Sequence, residues 1–447
     1  MRRVVVIGGG LAGIAAALDC ATAEAEVTLV EVRPQLGGAA YSFERDGLWL
    51  DNGQHVFLRC CEAYRSLLER LGSAGETVLQ ERLKLPVLAP GRPAAWLRRT
   101  GLPAPLHLAG SLLRYGHLNV GERLGVVRAA AALGRVDPDD PAADALSFGE
   151  WLQQRGQGPR TVETVWELIG RPTLNLSARD ASLAAAAFVF RVGLLERASA
   201  GDIGYARAPL QRVHGDAALV SLGAAGVEVR LGWRATSIEH HNGRFTVAGP
   251  GERLDADAVV LAVPHERAAH LLPHGAVADV EALAGLGNSP IVNLHVFYDR
   301  RVFEHEFAAA VCSPVQYVFD RTDSSGLEHG QCLAVSLSAA DEEAEMPAEQ
   351  LRARFEAALA ELLPAARGAR IERFVVTREH MATFRAAPGA CRLRPGARTG
   401  IEGLALAGAW TDTGWPATME GAVRSGHEAA KVALAALGRQ RAAEAVV

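Results

Sequence analysis

The chain runs to 447 residues, 49% of them hydrophobic and 22% charged, which suits a two-domain globular enzyme with a sizeable core. A net charge of −5 gives no reason to expect a nucleic-acid partner, and no apolar run is long enough to span a bilayer. The six cysteines (Cys20, Cys60, Cys61, Cys312, Cys332 and Cys391) contain no C-x-x-C pair and outline no disulfide framework, so a reduced, cytoplasmic setting is expected.

In chain order, Val4–Ile7 reads as a short β-branched strand, Leu11 to about Ala23 as an Ala-rich helix, and Val27–Val30 as a second strand. The glycines directly after Ile7 mark a strand entering a tight turn and not a signal peptide. Between Leu85 and Arg99 the composition shifts to Pro, Arg and Trp, and the chain is expected to leave its first domain there. Pro103–Leu133 patterns as apolar helix and residues 147–200 as mostly helical. Strands return at Val227–Leu231, Ala235–Glu239 and Phe245–Ala248, with a turn at His241-Asn242-Gly243-Arg244. Asp257–Val263 is β-rich up to Pro264, and Ile291–Tyr298 alternates like a sheet strand. Pro347 opens a helix with an apolar face of Leu351, Phe355, Leu359 and Leu362. A last strand, Leu404–Ala407, precedes a helix from about Ala417. Pro273 breaks any helix that would align His265, His270 and His274, so no metal site is expected. His240 and His241 are expected to face solvent.

Gly8-Gly9-Gly10-Leu11-Ala12-Gly13 places a G-x-G-x-x-G motif between strand and helix. Gly8 permits the sharp turn, Gly10 lets a diphosphate approach the backbone, and Gly13 lets helix and strand pack closely. The helix start offers free N–H groups and a positive dipole end to phosphate. Glu31 ends the second strand eighteen residues after Gly13, where an acid accepts ribose hydroxyls. Together these features predict a bound dinucleotide.

Further on, Val32, Arg33 and the run Leu36-Gly37-Gly38-Ala39-Ala40 resemble the extended fingerprint of the amine oxidase and phytoene desaturase flavoproteins. Val229, in Gly226–Arg230, sits where that superfamily has its adenine-side strand. Gly408, Asp412 and Pro416-Ala417-Thr418-Met419 resemble its closing flavin-contacting segment. The stretch Asp51-Asn52-Gly53-Gln54-His55-Val56-Phe57-Leu58-Arg59-Cys60-Cys61 is similar to that of hydroxysqualene dehydroxylases, as are Pro172–Leu176 and Trp410–Pro416. The resemblance implies FAD, with Gly53, Gln54 and His55 beside it. No cysteine lies in the 408–416 patch, so the cofactor is expected to be non-covalent. No lysine lies near Ile291–Tyr298, where amine oxidases often carry one.

The resemblance implies an α/β fold: a discontinuous Rossmann-like FAD-binding domain (1–84, 220–265 and 395–447) with an inserted sheet-and-helix substrate domain (85–219 and 266–394). The activity implied is reductive removal of the hydroxyl of hydroxysqualene, giving squalene. An oxidative carotenoid or phytoene desaturase is the rival, and a membrane-associated flavin-binding scaffold without turnover is a second. Hydroxide leaves poorly, so a proton donor is needed. Asp51, His55, Asp202 and Tyr205 are the candidates. No second G-x-G-x-x-G is present, so the electron donor is unidentified. Residues 92–135 carry seven arginines against one acid, Glu122, interleaved with apolar residues. Such a basic amphipathic segment suits peripheral contact with the inner face of the cell membrane.

Overall fold

The computed structural model describes residues 2–444. Its nucleotide half is a five-stranded parallel sheet with the order Glu228–Leu231, Glu26–Glu31, Arg3–Ile7, Ala258–Leu261, Leu404–Leu406. The sheet therefore gathers strands from three separated stretches of chain. Ala258–Leu261 is buried throughout, as a strand covered on both faces must be. The Ala-rich helix Leu11–Thr22 lies against the closing helix Met419–Glu444. At their crossing a Cβ on Gly426 would stand 2.2 Å from the carbonyl oxygen of Ala12, so only glycine fits. Glu420, buried near the start of the closing helix, accepts hydrogen bonds from Ala63 N (3.1 Å) and Tyr64 N (2.7 Å). It thereby satisfies the open N-terminus of the helix Glu62–Leu71.

The second half is a seven-stranded mixed sheet with the order Ile371–Thr383, Ser289–Tyr298, Gln331–Ser338, Tyr317–Asp320, Phe307–Ala310, Lys84–Ala89, Arg92–Arg98. One face packs on the helix Ala348–Leu362 through Leu351, Phe355, Leu359 and Leu362, the face read from the sequence. The other carries Phe307, Ala309 and Phe319 into a core shared with Phe148, Trp166 and Phe190 of the helical segment.

Three local readings change. Arg92–Arg98, read from the sequence only as a basic, Pro- and Trp-containing stretch, is a strand paired with Lys84–Ala89. The helical remainder is broken, with Ala109–Leu113 and Val120–Leu133 separated by a loop and Asn119 capping the second helix. The strand read as Ala235–Glu239 runs instead from Ser237 to His241, directly into the turn. Asn242 and Gly243 both have positive φ (51° and 75°), so the two-residue turn pins the pairing up to its own edge. His240 consequently lies in the strand, its ring 4.6 Å from that of Phe245, and does not stand free in solvent.

Candidate active site

At the carboxyl end of Arg3–Ile7 the backbone reverses at Gly8, with φ +111° and no room for a Cβ beside Ala262 O. Gly13 closes the turn, since a Cβ there would meet Gly8 O at 1.9 Å. No side chain caps the helix that follows, which leaves the first-turn amides of Leu11, Ala12 and Gly13 open toward an anion. Gly37 and Gly38 form a second loop that bridges to Gly10. A Cβ on Gly38 would lie 2.6 Å from Gly10 Cα. Two glycine loops stacked this closely make a cradle of bare backbone.

Glu31 fixes the cradle's outer wall: its carboxylate accepts from Gly9 N (2.6 Å) and Arg33 N (2.8 Å). Arg33 in turn donates to Gly38 O (2.8 Å). Val32 is exposed, Ala39 O accepts from Asn52, and Val229 lies on the outermost strand beside Leu29. On the far side, Gly408 (φ +140°) donates its N–H to Ser425 of the closing helix. Arg394 holds the loop that follows, donating to the carbonyls of Trp410 (3.2 Å), Thr411 (2.5 Å) and Trp415 (2.7 Å). Asp412 is exposed on that loop, and Pro416, Ala417, Thr418 and Met419 lead into the closing helix. The open helix amides, the glycine cradle and the clamped loop fit a flavin dinucleotide.

Beside this cradle the loop 51–55 packs onto the second sheet. Asn293 donates to Asn52 O (3.1 Å), His295 Nε2 meets Asp51 O (3.0 Å), and Thr377 donates to Asn52 O (3.0 Å). Asp51 is buried and fully committed. It accepts from Ser42 Oγ (2.6 Å), Leu210 N (3.1 Å) and Arg321 Nη2 (2.7 Å). A small cavity is lined by Asp51, Gln54, His55, Tyr205, Phe319 and Arg321. Two buried donors on these residues, Gln54 Nε2 and Arg321 Nε, have no partner among the described residues.

The four candidate proton donors separate on this geometry. Asp202 is buried outside the cavity, held by Arg99 (2.5 and 2.8 Å), Arg59 (2.8 Å) and Leu83 N (2.7 Å). Burial alone would raise its pKa, but these bonds outweigh burial and hold it below 3.8. A carboxylate held ionised has no proton to give, so Asp202 serves the fold. Asp51 likewise braces its loop. Burial lowers the pKa of His55, favouring a neutral ring, with Nδ1 against Gly53 O (3.0 Å). Tyr205 remains. Burial, then its hydrogen bond to Glu306, raises the phenol pKa and keeps its O–H.

Sequence reasoning missed Arg321, Asn293, His214 and His295. His214, the middle member of a Tyr64–His214–Ala40 chain of hydrogen bonds, and His295 are each pushed down to about 4 by burial. Nothing local in the sequence marks them, because each meets its partner across more than a hundred residues. Among the described residues no cluster suits a metal ion, and the six cysteines are free.

Residues 11–434 match the family model described as flavin containing amine oxidoreductase. The chain belongs to that family. It is accordingly a flavin-dependent oxidoreductase. A hydroxysqualene dehydroxylase of Rhodopseudomonas palustris is 30% identical over 97% of this chain and 99% of its own length. The likeness read from Asp51–Cys61 is thereby borne out. A zeta-carotene desaturase of Zea mays is 24% identical over 95% of this chain and 82% of that one. Among solved structures, wild-type putrescine oxidase bound to putrescine shares the fold, with a TM-score of 0.71 and 20% identity. The alignment covers 97% of this chain and 99% of that structure.

Two outcomes follow from the site. Gly38→Ala forces a methyl into Gly10 at a φ of +59°, so the purified variant should lack the flavin absorbance of the wild type while keeping its circular dichroism. Asp202→Asn should cost about 3–5 kcal/mol near neutral pH, as breaking a buried ion pair does. Because its folded pKa is depressed, that contribution is full above 3.8 and lost as pH falls further. Urea unfolding of both proteins should therefore converge in acid.

Proposed function

We propose that this protein reductively removes the hydroxyl group of hydroxysqualene, releasing squalene and water, with FAD bound non-covalently. In balance, the C–O bond breaks, one proton joins the leaving oxygen, and a hydride takes its place on carbon. Reduced flavin, when bound, supplies that hydride, and an external two-electron reductant restores it.

The observation that carries the reading is the pair of unpartnered donors in the cavity. Arg321 Nε and Gln54 Nε2 suit a neutral oxygen that gains negative charge as its bond to carbon lengthens. Tyr205, in the same wall, would give that oxygen its proton by turning its O–H from Glu306 to the substrate. Exposed Glu306, bonded to Tyr205, can return a proton from solvent. Asp51 balances the charge of Arg321 and leaves its Nε free. A protonated amine could not accept from this donor set, and a hydrocarbon to be desaturated would leave both donors unsatisfied. The desaturase reading draws its support from the full-length likeness to carotenoid desaturases, and the direction of electron flow separates the two. Non-covalent attachment is supported by the lack of any cysteine between Leu404 and Gly421.

A water-insoluble substrate calls for a route from a bilayer. Leu102, Leu106, Leu113, Val120, Leu124 and Val127 are six of the fourteen large apolar side chains exposed among the described residues. They lie within one short stretch, 102–127, among Arg98, Arg114, Arg123 and Arg128. The described ion pairs join none of these arginines to an acid, although Arg123 bonds backbone carbonyls. This ridge is the surface proposed to rest on an anionic cytoplasmic membrane face. No helix among the described residues is long and apolar enough to cross a membrane.

Anaerobic single turnover tests the function. Photoreduced protein mixed with hydroxysqualene in detergent should reoxidise as squalene appears, and Tyr205→Phe should slow this about a hundredfold or more at unchanged flavin content. No reoxidation, with bleaching of the oxidised flavin by phytoene instead, would establish the desaturase.

A further inference from the structure

Beyond the flavin cradle and the cavity, one concave site uses neither. It is a cleft of about 250 Å³ between the tip of the hairpin Lys84–Ala89/Arg92–Arg98, the loop joining the two ridge helices, and the turn Pro159–Thr161. Its charged and polar walls are Arg92, His117, Arg160 and Cys312. We propose that this cleft is a phosphate-binding site.

Three observations converge on it. First, the guanidiniums of Arg92 and Arg160 have no carboxylate or carbonyl partner among the described residues. Glu163, which accepts from Cys312 N (3.0 Å), sets one negative charge against these two guanidiniums, so the cleft keeps an excess of positive charge. Second, His117 is buried, 3% exposed, at the cleft's base. Its Nε2–H donates to Val87 O (3.2 Å), so Nδ1 accepts from a protonated phosphate oxygen while the ring is neutral and donates once the ring takes a second proton. Burial first, and then the like charges of Arg92 and Arg160, disfavour a second proton on the ring. An anion between the arginines relieves that repulsion. Third, the groups reach the cleft from three separate parts of the chain. Such an arrangement suits the tetrahedral oxygens of a phosphate better than a planar carboxylate, which one guanidinium fork satisfies.

Two sources share this chemistry: the phosphate of an anionic lipid headgroup, and a soluble phosphate or diphosphate. His117 lies on the segment joining the helices Ala109–Leu113 and Val120–Leu133, which ties the cleft to the stretch that carries the apolar ridge. The lipid source alone rests on the membrane reading given above.

Exposed Cys312 provides a reporter inside the cleft. Alkylation of the flavin-loaded protein by N-ethylmaleimide, followed at the Cys312 peptide by mass spectrometry, should slow several-fold in inorganic phosphate relative to chloride at matched ionic strength. Arg92→Gln/Arg160→Gln should weaken that protection about tenfold or more, with the flavin spectrum showing the fold intact. Vesicles of phosphatidylcholine with phosphatidylglycerol form the second arm. Protection by these vesicles that disappears in Leu113→Gln/Leu124→Gln, while inorganic phosphate still protects, assigns the lipid source. Protection by phosphate without protection by vesicles assigns the soluble source. No protection by either, or protection that survives Arg92→Gln/Arg160→Gln, overturns the site. Vesicle cosedimentation in the same samples separates that failure from failure of the membrane reading.

Discussion

The ion pair between Asp51 and Arg321 is the constraint on which the arrangement of the site depends. Asp51 sits at the end of a strand that leaves the nucleotide half, and Arg321 follows a strand of the seven-stranded sheet. Both side chains are almost wholly buried. A pair of charges in such a place is stable only when every remaining lone pair and proton is met. Ser42, Leu210 N and the carbonyls of Ala206 and Ala208 meet nearly all of them. The loop 51–55, the strand Ile203–Ala206, the turn before Gln211 and the second sheet are thereby held to one another. The one nitrogen of the Arg321 guanidinium left without a partner among the described residues, Nε, belongs to a residue of the cavity wall.

On the proposed reading, that leftover donor gives the chemistry its sign. His214 and His295 are kept neutral by burial, and Asp51 cancels Arg321, so the surroundings carry little net charge. In such a setting an oxygen departing with its electron pair gains much from each fixed N–H, because little water screens the interaction. A substrate without an oxygen gains nothing there. Asp202, an acid near in sequence to Tyr205, is held outside the cavity by two guanidiniums.

Much of this was legible in the sequence because it is local. The G-x-G-x-x-G turn, Glu31 and the Gly37-Gly38 loop announce themselves by residue type and spacing, since only glycine tolerates those backbone angles and approaches. The helix Ala348–Leu362 shows its buried face by period alone. What stayed hidden is what depends on distant partners. Asp51 is 270 residues from Arg321, and Tyr64 is 150 from His214. The stretch 92–98 reads as basic and irregular until Lys84–Ala89 is beside it, because a strand with Pro93 and charged ends carries no periodicity of its own. The apolar ridge at 102–127 was visible as composition, but only the fold shows which of its leucines face outward.

The measurement that tests the account most directly is the fate of the reducing hydrogen. The flavin N5 hydrogen exchanges with solvent, so anaerobic turnover of hydroxysqualene by the reduced protein in D₂O labels whatever receives it. Hydride transfer from the flavin would give squalene carrying a single deuterium, on the carbon that bore the hydroxyl. Unlabelled squalene, or no squalene while the oxidised flavin is reduced by a polyene precursor, would contradict it.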